Sequence, residues 1–140
     1  MIEHETKMAR VTVYGFESEY DRGGVEAAIL YGLEQSAKSG SGRVESIREL
    51  RLEVLNAGPA DFSYFSTRVQ SLIVKSVCRE LVGAGKIRPC YTVGKRRPEV
   101  HGFYLVTEEV LAEDRRRGEL DRAADNDIEP QELKPRGGGY

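Results

Sequence analysis

Apolar and polar positions change their period several times along this chain, and each change marks an element. Arg10 to Phe16 (Arg-Val-Thr-Val-Tyr-Gly-Phe) is rich in β-branched and aromatic residues, which predicts a strand. Glu17 to Gly24 is polar and acidic and closes on Gly23-Gly24, which predicts a loop. From Val25 to Ala37 the apolar residues Val25, Ala28, Ile29 and Leu33 recur at helical spacing, with Gly32 as a weak point. Ser39 to Gly42 ends that helix in a Gly/Ser turn.

The next stretch fits two periods. Leu50, Leu52 and Val54 alternate with Arg51 and Glu53, as in a strand, whereas Val44, Ile47, Leu50 and Val54 fit a helix. A strand over Arg48 to Leu55 completes a compact βαβ unit and is the expectation; Val44 to Ile47 stays open. Asn56 to Pro59 is a stop. Ala60 to Phe65 reads as a loop holding Phe62, Tyr64 and Phe65, with burial the expected fate of these rings. A further short helix there is the alternative.

Thr67 to Ala84 carries the best-defined helical pattern. Ser66 suits its N-cap, Val69, Leu72, Ile73, Val77 and Leu81 form its apolar stripe, and Gly83 and Gly85 end it. Arg68, Ser71, Lys75 and Arg79 fall on the opposite side. Ile87 to Val93 and His101 to Thr107 predict a β-hairpin whose tip, Gly94 to Glu99, is basic. Thr107 to Ala124 predicts a charged helix, capped by Thr107, and Asp125 to Tyr140 a disordered tail. The expected organisation is a disordered N-terminus over 1–8, an α+β domain over 9–107, a charged helix over 108–124 and the tail over 125–140. The fold class is α+β, a two-layer domain of order βαβαββ with a basic hairpin.

Charge changes this picture more than composition does. The net charge of the 140 residues is only −2. Residues 66–106, however, hold 8 basic against 2 acidic side chains, while both flanking regions are net negative. Such a dipolar chain can steer a polyanion to one face. Hydrophobic residues make up 39%, enough for one modest core, and no apolar run approaches a membrane span of roughly 20 residues. Cys78 and Cys90 show no disulfide or metal spacing, and the first ten residues have no apolar signal segment, so a reducing, cytoplasmic location is expected.

No catalytic constellation emerges: His4 and His101 have no nucleophile in evident register, and no metal motif occurs. The expectation is a non-enzymatic protein without cofactor or metal. Its candidate nucleic-acid-binding residues are Arg68, Ser71, Lys75 and Arg79 on the long helix, Lys86 and Arg88 after it, and Lys95, Arg96 and Arg97 at the hairpin tip.

The order of elements, the long second helix and the basic hairpin over residues 9 to 107 resemble the Alba family of DNA- and RNA-binding proteins. That resemblance implies a homodimer with Lys95, Arg96 and Arg97 as arm residues and Asn56 to Thr67 near the nucleic-acid backbone. The loop before the first helix is basic in that family and acidic here, with Glu17, Glu19 and Asp21. A second resemblance is to winged-helix proteins. Val77 to Ile87 is similar to the end of a recognition helix and the start of a wing, with Lys95 to Arg97 at the wing tip. The partner expected is therefore DNA or RNA, with no membrane. The alternative is a protein-interaction module, an adaptor or a phage- or plasmid-encoded inhibitor of a host nucleic-acid machine, for which the acidic flanks provide the surface.

Overall fold

The structure, a computed structural model, describes residues 3–39, 44–92 and 96–120. Residues 1–105 form one unit and 106–140 a second. The first unit runs β1 (Met8–Val13), β2 (Phe16–Asp21), α1 (Arg22–Ser39), α2 (Ile47–Ala57), a short 3-10 helix (Ala60–Tyr64), α3 (Thr67–Gly83), β3 (Ile87–Tyr91) and β4 (Val100–Leu105). The class is α+β, with β1–β2 and β3–β4 as separate antiparallel pairs. The order is not βαβαββ, and two segments account for the difference.

Arg48 to Leu55 is helical. Ser46 accepts from the Glu49 backbone N–H, and the Glu49 carboxylate accepts from the Ser46 N–H, a reciprocal capping box that starts α2. Leu50 and Val54 are buried while Leu52 stays exposed, so the burial follows the helical period. The second segment is Glu17 to Gly24. Val13 and Phe16 close a two-residue turn, and Phe16 to Asp21 returns as β2 with Arg10 opposite Glu19 and Thr12 opposite Glu17. The acids that suggest a loop are the solvent side of a strand. Arg10 lies 3.6 Å from Glu17 and 3.9 Å from Glu19.

Gly23 and Gly24 are buried in the first turn of α1. A Cβ on Gly23 would meet the Glu5 carbonyl, and one on Gly24 would meet the Pro59 ring. These glycines permit close approach rather than a loop. The Asp21 carboxylate caps the helix, accepting from the N–H groups of Gly24 and Lys7, and His4 Nε2 lies 2.7 Å from it. Burial pushes the Asp21 carboxyl up, but the bonds from His4, Gly24 and Lys7 outweigh it and hold it below its usual range. The segment before β1, expected to be disordered, is thus tied to the start of α1 at His4 and Lys7.

The core gathers Val25, Ile29 and Leu33 of α1, Leu50 and Val54 of α2, Phe62, and Ile73, Val74, Val77, Cys78 and Leu81 of α3, closed by Ile87 and Phe103. Burial of Cys78 pushes its thiol up to about 12. Leu72, expected in the α3 stripe, is 39% exposed; buried Gln70 lies on the inward side instead. The Gln70 amide donates to the carbonyls of Phe62 (3.1 Å) and Phe65 (2.9 Å) and accepts from Arg51 Nη1 at 3.0 Å. One side chain therefore joins α2, the 3-10 helix and α3.

Glu45 and Phe103 exchange both backbone hydrogen bonds at 2.9 Å, adding one strand position to the β3–β4 pair. Gly102 makes this possible, because a Cβ there would meet Val44 Cγ1 and the Glu45 carbonyl. The Glu45 side chain is buried and accepts from the Ser36 hydroxyl. Burial pushes its carboxyl up, and Glu49 and Glu53 push it further, against the Ser36 bond.

In the second unit, residues 108–120 are helical, and Thr107 Oγ1 accepts from the Val110 N–H as expected of a cap. Glu113 pairs with Arg116 at 2.7 Å and Arg117 at 3.7 Å. The Asp125 to Tyr140 tail lies outside the described residues. No described helix is long and apolar enough to cross a membrane.

Two stability outcomes follow from these buried polar groups. Gln70→Leu keeps the volume but strands two carbonyls, so urea denaturation should show a loss of about 1–3 kcal/mol. Glu45 should act through pH. Its folded pKa is raised, so its contribution is present below the usual carboxylate range and lost as pH rises through the folded value. Denaturation profiles of wild type and Glu45→Gln should therefore converge under acid conditions and separate toward neutral pH, with the variant the more stable.

Candidate nucleic-acid interface

Helix α3 sets the site. At 100° per residue, its buried positions 70, 73, 74, 77, 78 and 81 occupy one side. Arg68, Leu72, Lys75 and Arg79 form the opposite row, and all four are exposed. At about 1.5 Å per residue, the three cations span roughly 16 Å. Neither Lys75 nor Arg79 has a counter-ion among the described residues. Ser71 lies at the edge of this row and is half-buried.

The β1–β2 hairpin runs along one flank of the row. The Tyr20 hydroxyl bonds Ser76, Arg22 pairs with Glu80, and at the far end Arg68 donates to the Tyr14 hydroxyl. Burial raises the Tyr20 pKa, with Arg22 and the Ser76 bond opposing it. The Arg68 guanidinium also lies 5.1 Å from the centre of the Tyr14 ring. Glu80, the acid of α3, is thereby turned to Arg22 and away from Lys75 and Arg79.

The other candidates divide. Lys86 lies 3.6 Å from Glu26, so its charge is offset within the fold. Arg88 is half-buried on β3, opposite Tyr104. Arg96 and Arg97 are exposed at the turn of the second hairpin, where Thr92 and Glu99 are joined by a 2.9 Å backbone bond. Lys95, expected at the same tip, lies outside the described residues. The structure thus brings Arg68, Lys75 and Arg79 into one row, leaves Arg96 and Arg97 exposed on another element, and ties Lys86 to an acid.

Two surface residues beside this row were not singled out from the sequence. Tyr14 and Phe16 are 77% and 78% exposed at the β1–β2 turn. The signal was Gly15 between two alternating segments, although Tyr14 itself is a poor residue for the first position of such a turn.

Comparisons with family models, with curated proteins and with solved structures returned no match to the chain.

Lys75 and Arg79 should carry little of the fold. Lys75→Ala with Arg79→Ala should change the unfolding free energy by less than about 0.5 kcal/mol per site. Thermal and urea denaturation of the double variant checks this.

Proposed function

We propose that this protein binds nucleic acid through the outward row of α3 and the tip of the β3–β4 hairpin, as a phosphate-backbone binder. The observation that carries the reading is the row Arg68, Lys75 and Arg79, exposed on one helix face with the neighbouring acid Glu80 neutralised by Arg22. Phosphate contacts from such a row release counterions and supply affinity without base reading.

The winged-helix resemblance is the one that the element order supports. Three helices are followed by an antiparallel hairpin, and Glu45 contributes one strand position to that hairpin. The 3-10 helix over Ala60–Tyr64 fills the connection between α2 and α3. The Alba resemblance required a strand where α2 lies. In the winged-helix reading, α3 is the recognition helix and Arg96 and Arg97 are wing residues.

The β1–β2 hairpin limits how α3 is used. A helix is about 10–12 Å across, and the major groove about 12 Å wide. A helix flanked along its length by a hairpin does not sink into that groove. Contact along the phosphate ridge, with little sequence preference, is the mode that fits.

Binding of the full chain to a duplex, followed by anisotropy across a salt series, tests this. Replacing Lys75, Arg79, Arg96 and Arg97 together by Ala should lower the log–log salt slope by about 0.9 for each phosphate no longer neutralised. An unchanged slope and affinity would remove these residues from any interface. Recovery of one stoichiometric protein partner, without any shift of the oligonucleotide, would favour a protein-interaction module instead.

A further inference from the structure

The geometry points to a second binding element on this surface: a stacking site for an unpaired nucleobase at the turn of the β1–β2 hairpin, formed by Tyr14 and Phe16 beside Arg68. It rests on the nucleic-acid reading and says which form of nucleic acid the site takes.

Three observations carry it. The first is exposure. Tyr14 and Phe16 lie more than three-quarters exposed, two positions apart, whereas Phe62 and Phe103 are buried. Among the described residues only Tyr64, expected to be buried, is as exposed, and it stands by itself on the 3-10 helix. Neither Tyr14 nor Phe16 adds much to the core. The second is backbone. Tyr14 has φ +52° and Gly15 φ +81°, the two positive values of a tight hairpin turn. Asparagine fits the first of these positions with least strain, and a bulky side chain fits it poorly. A large ring is therefore held out in solvent at a conformational cost. The third is Arg68, which lies against the Tyr14 ring and donates to its hydroxyl. This pairing fixes the ring and places a positive charge beside it, at the first turn of α3, where the helix dipole also favours an anion.

Strand parity keeps the hairpin acids out of the way. Phe16, Ser18 and Tyr20 share one face of β2, while Glu17 and Glu19 share the other, next to Arg10. A phosphate at Arg68 is thus on the side of Phe16 rather than of the glutamates. Paired bases inside a duplex are stacked on both sides, and only the two end pairs of a blunt duplex expose a ring face. An unpaired base exposes one too, and its adjacent phosphate completes the match to a ring beside a guanidinium.

The test compares a blunt duplex with the same duplex carrying a single-stranded extension, using the full chain at one salt concentration. The extended duplex should bind about five- to a hundredfold more tightly. Tyr14→Asn combined with Phe16→Ala should abolish that preference, read as the ratio of the two affinities. It should not lower the salt slope on the blunt duplex, because Arg68, Lys75 and Arg79 all remain. Asn suits the turn, so an unlowered melting temperature shows that the hairpin survives. Tyr14→Phe, which keeps the ring, should keep most of the preference. Equal affinity for both oligonucleotides in the wild type, or a preference that survives the double variant, overturns the stacking site and leaves duplex binding standing. Failure of both oligonucleotides to bind overturns this site and the reading beneath it together.

Discussion

The arrangement of α2, the 3-10 helix and α3 depends on one buried amide. Gln70 is the residue through which α3 holds the 3-10 helix by two carbonyls and α2 by Arg51. A connection such as Pro59 to Phe65 is hard to bury, because its carbonyls cannot all be satisfied within a short helix. An amide reaching them from α3 removes that cost and allows Phe62 to enter the core. It also fixes the rotation of α3. With Gln70 inward, the positions half a turn away point outward, and these are Arg68, Lys75 and Arg79. The polar bracket in the core and the cationic row on the surface are two sides of one helix register.

The β1–β2 hairpin is the second constraint. Its position along α3 depends on interactions at both ends and on Gly23, which lets the segment before β1 approach α1 closely. It uses positive charge in doing so: Arg22 is paired with Glu80, while Arg68, held by the neutral Tyr14 hydroxyl, is positioned without losing its charge. Lys86 is committed to Glu26 on α1. A run of cations in the sequence is therefore a poor count of the charge that faces solvent. Part of it holds the fold, and what remains is concentrated at Arg68, Lys75, Arg79, Arg96 and Arg97.

Those elements with a single clear period were legible in the sequence. The Ser66 cap, α3, the second hairpin and the Thr107 cap follow from local chemistry, and all are present. The misses occur where two local rules competed. Leu50, Leu52 and Val54 alternate, but the capping box of Ser46 and Glu49 decides for a helix, and the box is visible in the sequence to a reader who weighs it above the alternation. Glu17 and Glu19 look like loop residues because a hairpin with one solvated face needs few apolar positions. Gly23 and Gly24 look like a break because glycine's other role, admitting a neighbour's backbone, is a tertiary fact. Leu72 falls on the apolar stripe by spacing alone; the burial of Gln70 shifts that stripe. Of the candidate site, the α3 cations were legible as one face, whereas the pairing of Lys86 and the flanking hairpin required the fold.

The fold also explains how a chain with a net charge of −2 can present a positive surface. On α2, Glu49 and Glu53 lie on one side and Arg51 on the other, by helical spacing. Arg51 faces α3 through Gln70, while Glu53 packs against Gly32 of α1 and lies with Glu49 beside buried Glu45. The acids of this region are therefore gathered on the α1 side of α2, and the helix body separates them from the α3 row. Glu45 is pushed toward its neutral form chiefly by burial, and the neighbouring Glu49 and Glu53 add to that push. Carboxylates at a distance of one helix diameter, roughly 10 Å, are already near the Debye length and weakly felt through solvent. Local pairing of Glu80 with Arg22 deals with the one acid on α3 that the helix body cannot hide. Net charge is thus the wrong quantity for this molecule; what governs an approaching anion is the sign of the nearest unpaired groups, and on the outward row of α3 these are cations.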